Sequence, residues 1–172
     1  MVSASRFISP TTEATELAAQ WAEEIDKYVM NTLGTFSIMT LQVILLWANH
    51  HHSNRSLGKA WMLLGMAARL AYCLQINGDS GARSSSEMEC RRRMMWNIRI
   101  LDRLLAGTVD EFSLSSRFMD ALILPCDEYH YLADLQVKTE KLEAFCGDTQ
   151  IPNVGGFAAL IRLFDIWREI LL

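Results

Sequence analysis

Apolar residues recur every three to four positions along most of the chain, and the stripes they draw predict helices. Ser9 as an N-cap and Pro10 at the first helical position open the first one. Leu17, Trp21, Ile25, Tyr28 and Val29 then share a stripe, with Glu23, Glu24 and Lys27 around the back. A break over 31–35, containing Gly34, precedes a second helix from Phe36 to His51. Leu41, Leu45 and Ala48 lie along one side of it, and Val43, Ile44 and Trp47 extend the apolar surface nearly all round, the pattern of a helix buried among others. After a turn over His52–Arg55, a third helix runs from Ser56 to about Gln75, with Leu57, Ala60, Trp61, Leu64, Ala68 and Ala71 at helical spacing. Gly58, Gly65, Ala67 and Ala71 leave low ridges on it. Gly65 costs about 1 kcal/mol against Ala in a helix interior, so the close approach of a neighbouring helix is the expected compensation.

Asn77–Gly81 and Ser84–Ser86 form a polar loop that ends in two overlapping capping boxes, Ser84 with Glu87 and Ser86 with Glu89. The fourth helix runs from there to Ala106, with Gly107 as its C-cap. Periodicity weakens over Thr108–Asp127, which contains a turn at Leu124-Pro125-Cys126-Asp127. Val137–Phe145 reads as a short helix and Ile151–Gly156 as a linker. Phe157–Leu172 is a last amphipathic helix with Leu160, Phe164, Trp167 and Leu171 on one side. It stops in mid-helix on apolar residues, where ordinary domains end polar and frayed, so the chain reads as truncated at its C-terminus. No repeat, glycine-rich phosphate loop or strand–helix alternation is present. The expected fold is all-α: an irregular array of about five to seven packed helices in one partial domain over residues 1–172.

Composition sharpens this picture. The 172 residues suffice for one domain with a substantial core, and five Trp, seven Phe and nine Met supply bulky material for it. A net charge of −4 opposes broad binding to a phosphate backbone. Cys73, Cys90, Cys126 and Cys146 form no Cys-x-x-Cys pair and stand at no zinc-ligand spacing from a histidine, so they read as reduced thiols. Met1–Pro10 lacks the basic and apolar regions of a signal peptide. The most apolar run, Ile38–Ala48, falls short of the roughly 20 residues of a membrane span. The expectation is a soluble intracellular protein.

Three constellations could carry chemistry. His50-His51-His52 offers imidazoles, but consecutive helical residues diverge by about 100° and cannot converge on one metal. Imidazoles in a last helical turn also complement the helix dipole. Arg91-Arg92-Arg93 with Arg99 and Arg103 is the second. Arg92, Trp96, Arg99 and Arg103 fall within about 40° of one direction, a stripe that could grip phosphate and stack a base. Against that stand Glu87 and Glu89 one turn upstream, the acidic chain, and the habit of arginines to stack on Trp over helix surfaces. Asp102 is the third, near the apolar line of Met95, Ile98 and Leu105. A buried carboxylate there needs a cation, and Arg69 on the third helix is the expected partner. The catalytic alternative lacks a second carboxylate, nucleophile or base at readable spacing. No catalytic, cofactor or metal residue emerges.

Two stretches together resemble a known family. One is Ala60-Trp61-Met62-Leu63-Leu64-Gly65-Met66-Ala67-Ala68-Arg69-Leu70-Ala71. The other is Arg91-Arg92-Arg93-Met94-Met95-Trp96-Asn97-Ile98-Arg99-Ile100-Leu101-Asp102-Arg103-Leu104-Leu105-Ala106-Gly107. In order, with Leu124-Pro125-Cys126 after them, they are similar to the middle regulatory region of fungal-specific transcription factors. Its pattern joins A-W-x-x-x-G-x-A-x-R-x-A and R-R-x-x-W-x-x-x-x-x-D-R helices across a polar loop and then reaches L-P. The matching core spans 41–127, and Phe157–Leu172 resembles a later helix more loosely.

The resemblance implies a nuclear regulatory domain acting on transcription by RNA polymerase II, downstream of a DNA-binding zinc cluster held by six cysteines. Such domains act through inhibitory contacts, partner proteins or small-molecule response. This chain has no such cluster, so zinc and DNA are expected only through a domain it lacks. Its partners would be other proteins or the rest of its own regulatory domain, with no membrane. Trp61, Gly65, Arg69, Arg92, Trp96, Asp102 and Arg103 occupy motif positions, with Asp102 and Arg69 expected to hold the two motif helices in register. The mid-helix ending predicts exposed apolar surface and a tendency to self-associate. The rival reading is a free-standing helical adaptor, or the remnant of a truncated gene, that binds proteins without controlling transcription. A small helical enzyme is a third, for which the sequence offers neither cofactor site nor paired acid and base.

Overall fold

A computed structural model describes residues 12–76, 84–107, 122–142 and 153–171. Six helices are present among them: α1 (Thr12–Asn31), α2 (Ile38–Ser53), α3 (Leu57–Cys73), α4 (Ser85–Ala106), α5 (Glu128–Leu132) and α6 (Gly156–Leu171). The expected all-α class holds. The predicted Ser9–Pro10 start and the loop at 77–83 lie outside the described residues. The chain divides into two compact units, Met1–Leu74 and Gln75–Leu172.

In the first unit, Ser37 starts α2 by accepting the Thr40 backbone N–H at 3.0 Å. The chain turns at Arg55, in the left-handed region at φ 58°, and Ser56 precedes α3. α2 and α3 form the main packing pair. Leu41, Ile44, Leu45 and Ala48 of α2, with Ala60, Leu64, Ala67 and Ala71 of α3, are buried as the core of this unit. The all-round burial expected for α2 does not occur, since Met39 and Leu46 are exposed. The stripe of α1 also stays largely open: Val29 is buried, but Leu17, Trp21 and Tyr28 are exposed. A β-carbon placed on Gly65 would meet nothing within 4 Å. No helix exploits that glycine for close approach, and the small residues that are fully buried are Ala60, Ala67 and Ala71.

In the second unit, Ser84 caps α4 by accepting the Glu87 N–H at 3.2 Å, and Gly107 ends it at φ 59°. The second predicted box does not form, because the Glu89 carboxylate turns inward to other donors described below. Residues 122–127 then run extended. They make antiparallel bridges from Ile123 to Lys141 and from Cys126 to Val154. The helix expected from Val137 to Phe145 is absent over 137–141, and a 3-10 turn begins only at Leu142. There the Leu124 N–H donates to the Glu140 carbonyl at 2.7 Å and the Thr139 hydroxyl donates to the Leu124 carbonyl. The β-branched Val137 and Thr139 suit this extended pairing. Residues 143–145 lie outside the described set. α5, which the periodicity did not announce, is started by Asp127, whose side chain accepts the His130 N–H at 2.9 Å.

α6 packs against α4, but not by the predicted side. Leu160 and Trp167 are exposed, while Ala158 and Ile161 are buried. The inward face is turned by roughly one residue, about 100°. Two ion pairs set it there: Arg99 donates to both oxygens of Asp165 at 3.1 Å, and Arg162 pairs with Glu140. Among the described residues no helix is long and apolar enough to cross a membrane.

Candidate functional site

Among the described residues of the second unit, the arginine-rich turn of α4 is densely paired. Glu89, 3% exposed, accepts from Arg92 Nη1 at 2.6 Å, Arg93 Nε at 2.9 Å and the Cys126 backbone N–H at 3.1 Å. The two arginines stand three and four residues beyond it, the spacings at which helical side chains meet. Arg93 continues outward: Nη1 reaches Glu128 at 2.7 Å, Nη2 reaches the Cys126 carbonyl at 3.0 Å, and the guanidinium lies 4.2 Å from the Tyr131 ring centroid. Burial works against its charge, but the bonds to Glu89 and Glu128 outweigh this and raise its pKa. One helix turn on, Trp96 is 1% exposed and donates its indole N–H to the Ile123 carbonyl at 3.0 Å. Glu89, Arg93 and Trp96 thus hold the extended Leu-Pro-Cys segment against α4 through its backbone.

The predicted arginine stripe is therefore largely turned inward and paired. Arg92 and Arg103 are buried, Trp96 is enclosed, and Arg99 lies 5.8 Å from the Trp96 centroid with Asp165 as its partner. Burial, and the like charges of Arg99 and Arg168, lower the Arg103 pKa. Asp102 is buried beside it. Arg69 is exposed on α3, as is Trp61. Asp102 belongs to the second unit and Arg69 to the first, so the expected pair is not one that either unit makes by itself.

Sequence reasoning missed Glu89 and Arg93 as centres. The 3 and 4 spacings from Glu89 to the arginines were a readable signal, but its capping-box position offered a competing role. The bond to Cys126 has no sequence signal at all. Gly155 also finds its reason here, whereas a β-carbon on Gly156 would meet nothing within 4 Å. A β-carbon on Gly155 would sit 2.8 Å from the Asp127 Cα, so this chain segment passes too close for a side chain. Burial, with Glu89 nearby, pushes the Cys126 thiol up to about 11, which makes it a poor nucleophile at neutral pH.

The histidine run of α2 builds a second polar centre, in the first unit. His50 stacks on Trp47 at 4.5 Å with the rings 3° from parallel, and His51 meets Trp47 edge-on at 4.7 Å. The three imidazoles do not converge, and among the described residues no group of His, Cys, Asp or Glu could hold a metal ion. Asp26 of α1 gathers the neighbours instead. It accepts the Trp47 indole N–H at 2.6 Å and the Lys59 ammonium at 3.0 Å. Burial opposes its charge, but these two donors prevail and lower its pKa. His51 is lowered by burial and by Lys59, so its imidazole is neutral at pH 7.

Comparison with known proteins follows this geometry. The Zn(2)-C6 fungal-type transcription factor FTF1c of Fusarium oxysporum f. sp. lycopersici is 25% identical over an alignment covering 88% of this chain and 19% of its own length. A transcriptional regulatory protein of Schizosaccharomyces pombe is 32% identical, covering 86% of this chain and 17% of its own. The chain thus spans less than a fifth of these curated relatives. No solved structure matches it. The fungal specific transcription factor domain matches residues 4–172, so the helix pair with its inward-turned arginines belongs to a chain of the fungal-specific transcription factor domain family.

Proposed function

We propose that this chain is the regulatory region of a larger transcription factor and acts in the nucleus on transcription by RNA polymerase II. It works through contacts with proteins, with small effectors or with the rest of its own regulatory domain, and it turns over no substrate. DNA recognition falls to a separate zinc cluster held by six cysteines; the Fusarium relative is itself a Zn(2)-C6 fungal-type transcription factor.

One observation carries the reading. Arg92, Arg93 and Arg99 of α4, in the most basic run of the chain, are engaged by Glu89, Glu128 and Asp165 and by the Cys126 carbonyl. A face whose charges are neutralised internally gains little from releasing counterions off DNA. Glu89 already accepts from three donors, which leaves it unsuited to general-base work. Exposed Leu163, Ile166 and Ile170 along α6 favour action by contact.

A two-part experiment tests this. The purified chain is titrated into duplex DNA in a gel-shift assay at about 0.15 M salt, and expected to leave it unshifted. The chain is then fused between a heterologous DNA-binding domain and an activation domain, and reporter output is compared with a fusion lacking it. A change in output that Glu89→Ala abolishes is the expected result. A salt-dependent DNA shift by the isolated chain, or a reporter indifferent to its presence, would refute the reading.

A further inference from the structure

The first unit contains a cavity of about 630 Å3 lined by α1 and α3, with His51 of α2 also in its wall. Val29 and Met30 form one wall and Met62, Leu63 and Met66 the other. Methionine walls adapt to an occupant because the side chain is unbranched and polarisable. The polar end is made by Asp26, His51 and Lys59.

His51 is the unexplained member of that end. Its side chain is 9% exposed, and its Nε2 has no hydrogen-bond partner among the described residues. Asp26 Oδ1 is 3.7 Å away, beyond hydrogen-bond reach. Buried polar atoms are ordinarily satisfied. A single oxygen that both donates and accepts would serve Asp26 and His51 together, since a carboxylate already holding two donors keeps lone pairs to spare.

Charge selects among the groups that could supply that oxygen. Lys59 and the Trp47 indole already balance Asp26, and His51 is neutral. A carboxylate entering here would face Asp26, with Lys59 already held by that aspartate and Lys27 paired with Glu23, and an amine would compete with Lys59 for its place. A hydroxyl does neither.

We propose that this cavity binds a neutral, largely apolar small molecule ending in a hydroxyl, which donates to Asp26 and accepts the Nε2–H of His51. The site gives the effector reading above a location and a chemistry. Its use as a control point rests on that reading, whereas the binding itself does not.

The test uses the whole chain with methyl-labelled methionine, titrated with 1-octanol, octanoate and octylamine and followed by NMR. Octanol should shift the methyl resonances of Met30, Met62 and Met66 and the ring resonances of His51 along one saturating curve. Octanoate and octylamine should bind at least about tenfold more weakly, the discrimination that one charged mismatch supplies. His51→Phe keeps a ring beside Trp47 but removes Nε2, and should weaken octanol by about tenfold. Met62→Glu puts a charge on an exposed lip and should block octanol while leaving the melting temperature unchanged. If His51→Phe does not fold, Met62→Glu decides. Unmoved methionine and His51 resonances, octanoate or octylamine binding as tightly as octanol, or parental octanol binding in the folded variants would overturn the proposal. Failure of the reporter experiment with octanol still bound would sink the regulatory reading alone, and the reverse outcome would sink only this site.

Discussion

Replacing Glu89 should damage the second unit more than any other single change on α4. The carboxylate is 3% exposed and accepts from Arg92 at 2.6 Å, Arg93 at 2.9 Å and the Cys126 N–H at 3.1 Å. Glu89→Ala leaves the Arg92 charge and a buried N–H without this acceptor. Arg93 keeps Glu128, the Cys126 carbonyl and Tyr131, so its loss is partial. Breaking a buried ion pair from one side costs about 3–5 kcal/mol. At about 2–4 °C per kcal/mol for a chain of this size, the melting temperature should fall by roughly 6–20 °C. Glu89→Gln keeps one acceptor oxygen and should lie between the parent and Glu89→Ala. Glu87→Gln is the control: its partner Arg91 stands at 3.0 Å on the same helix, but the Glu87 side chain is 41% exposed. Such a pair is worth about 1 kcal/mol or less. Urea unfolding followed by far-ultraviolet circular dichroism measures all three. If Glu89→Ala costs no more than Glu87→Gln, Glu89 is not what ties the Leu-Pro-Cys segment to α4.

Two glycines should respond to alanine with opposite signs in the same assay. Gly65→Ala should stabilise by about 0.5–1 kcal/mol, because it gains helix propensity and meets nothing within 4 Å. Gly155→Ala should destabilise by about 1–3 kcal/mol, because its β-carbon would stand 2.8 Å from a backbone atom of Asp127; like signs would contradict both readings. Iodoacetamide at pH 8 should label exposed Cys73 first and Cys126 only on unfolding, since that thiol is buried with its pKa near 11; peptide mass spectrometry reads the order, and early labelling of Cys126 would refute it. The first unit should lose stability as the pH falls. His51 is held below its ordinary 6.5 by burial and Lys59, so the unfolded chain takes up a proton that the folded one refuses. The stability is complete above 6.5 and is lost as pH falls through the lower folded value, with the share of Asp26 lost later, below its ordinary 3.8. Urea midpoints at pH 7.5 and 5.5 measure this, and His51→Phe should flatten the slope; a parent with no slope would exclude the effect.

Helices α2, α3 and α4 were legible because their signals are local. Ser84, Gly107 and the 3.6-residue period lie within a few positions of what they control, and the observed ends of these three helices fall within about two residues of the expected ones. What the period could not supply was direction. On α6 the apolar line through Leu160, Phe164 and Trp167 was the wider stripe, yet Arg99–Asp165 and Arg162–Glu140 turn the helix so that Ala158 and Ile161 face inward. Partners 66 residues apart leave no mark in an eleven-residue window. Val137–Lys141 failed for a related reason. A weak apolar run was read alone, whereas its conformation is set by the backbone of Leu124, which offers both a donor and an acceptor.

The arginine run shows how charge and exposure part company. Three consecutive arginines, with a fourth and fifth on the next turns, suggest a surface for anions as long as arginine is assumed to face solvent. Arginine is also the residue best suited to bridge buried carboxylates and carbonyls, because its planar fork presents five donors in fixed directions. Three of the five are used so here: Arg92 on Glu89, Arg93 on two carboxylates and a carbonyl, and Arg99 on Asp165. The discriminating feature was present in the sequence as carboxylates at the matching helical spacings, Glu87 for Arg91 and Glu89 for Arg92 and Arg93. A basic run with acidic residues one turn before it is already half neutralised along its own helix. The long-range partners Glu128 and Asp165 then complete the neutralisation. Arg93, Trp96 and Arg99 thus fasten an extended segment and a second helix to α4, and they do so with donors that a solvent-facing basic run would leave to anions.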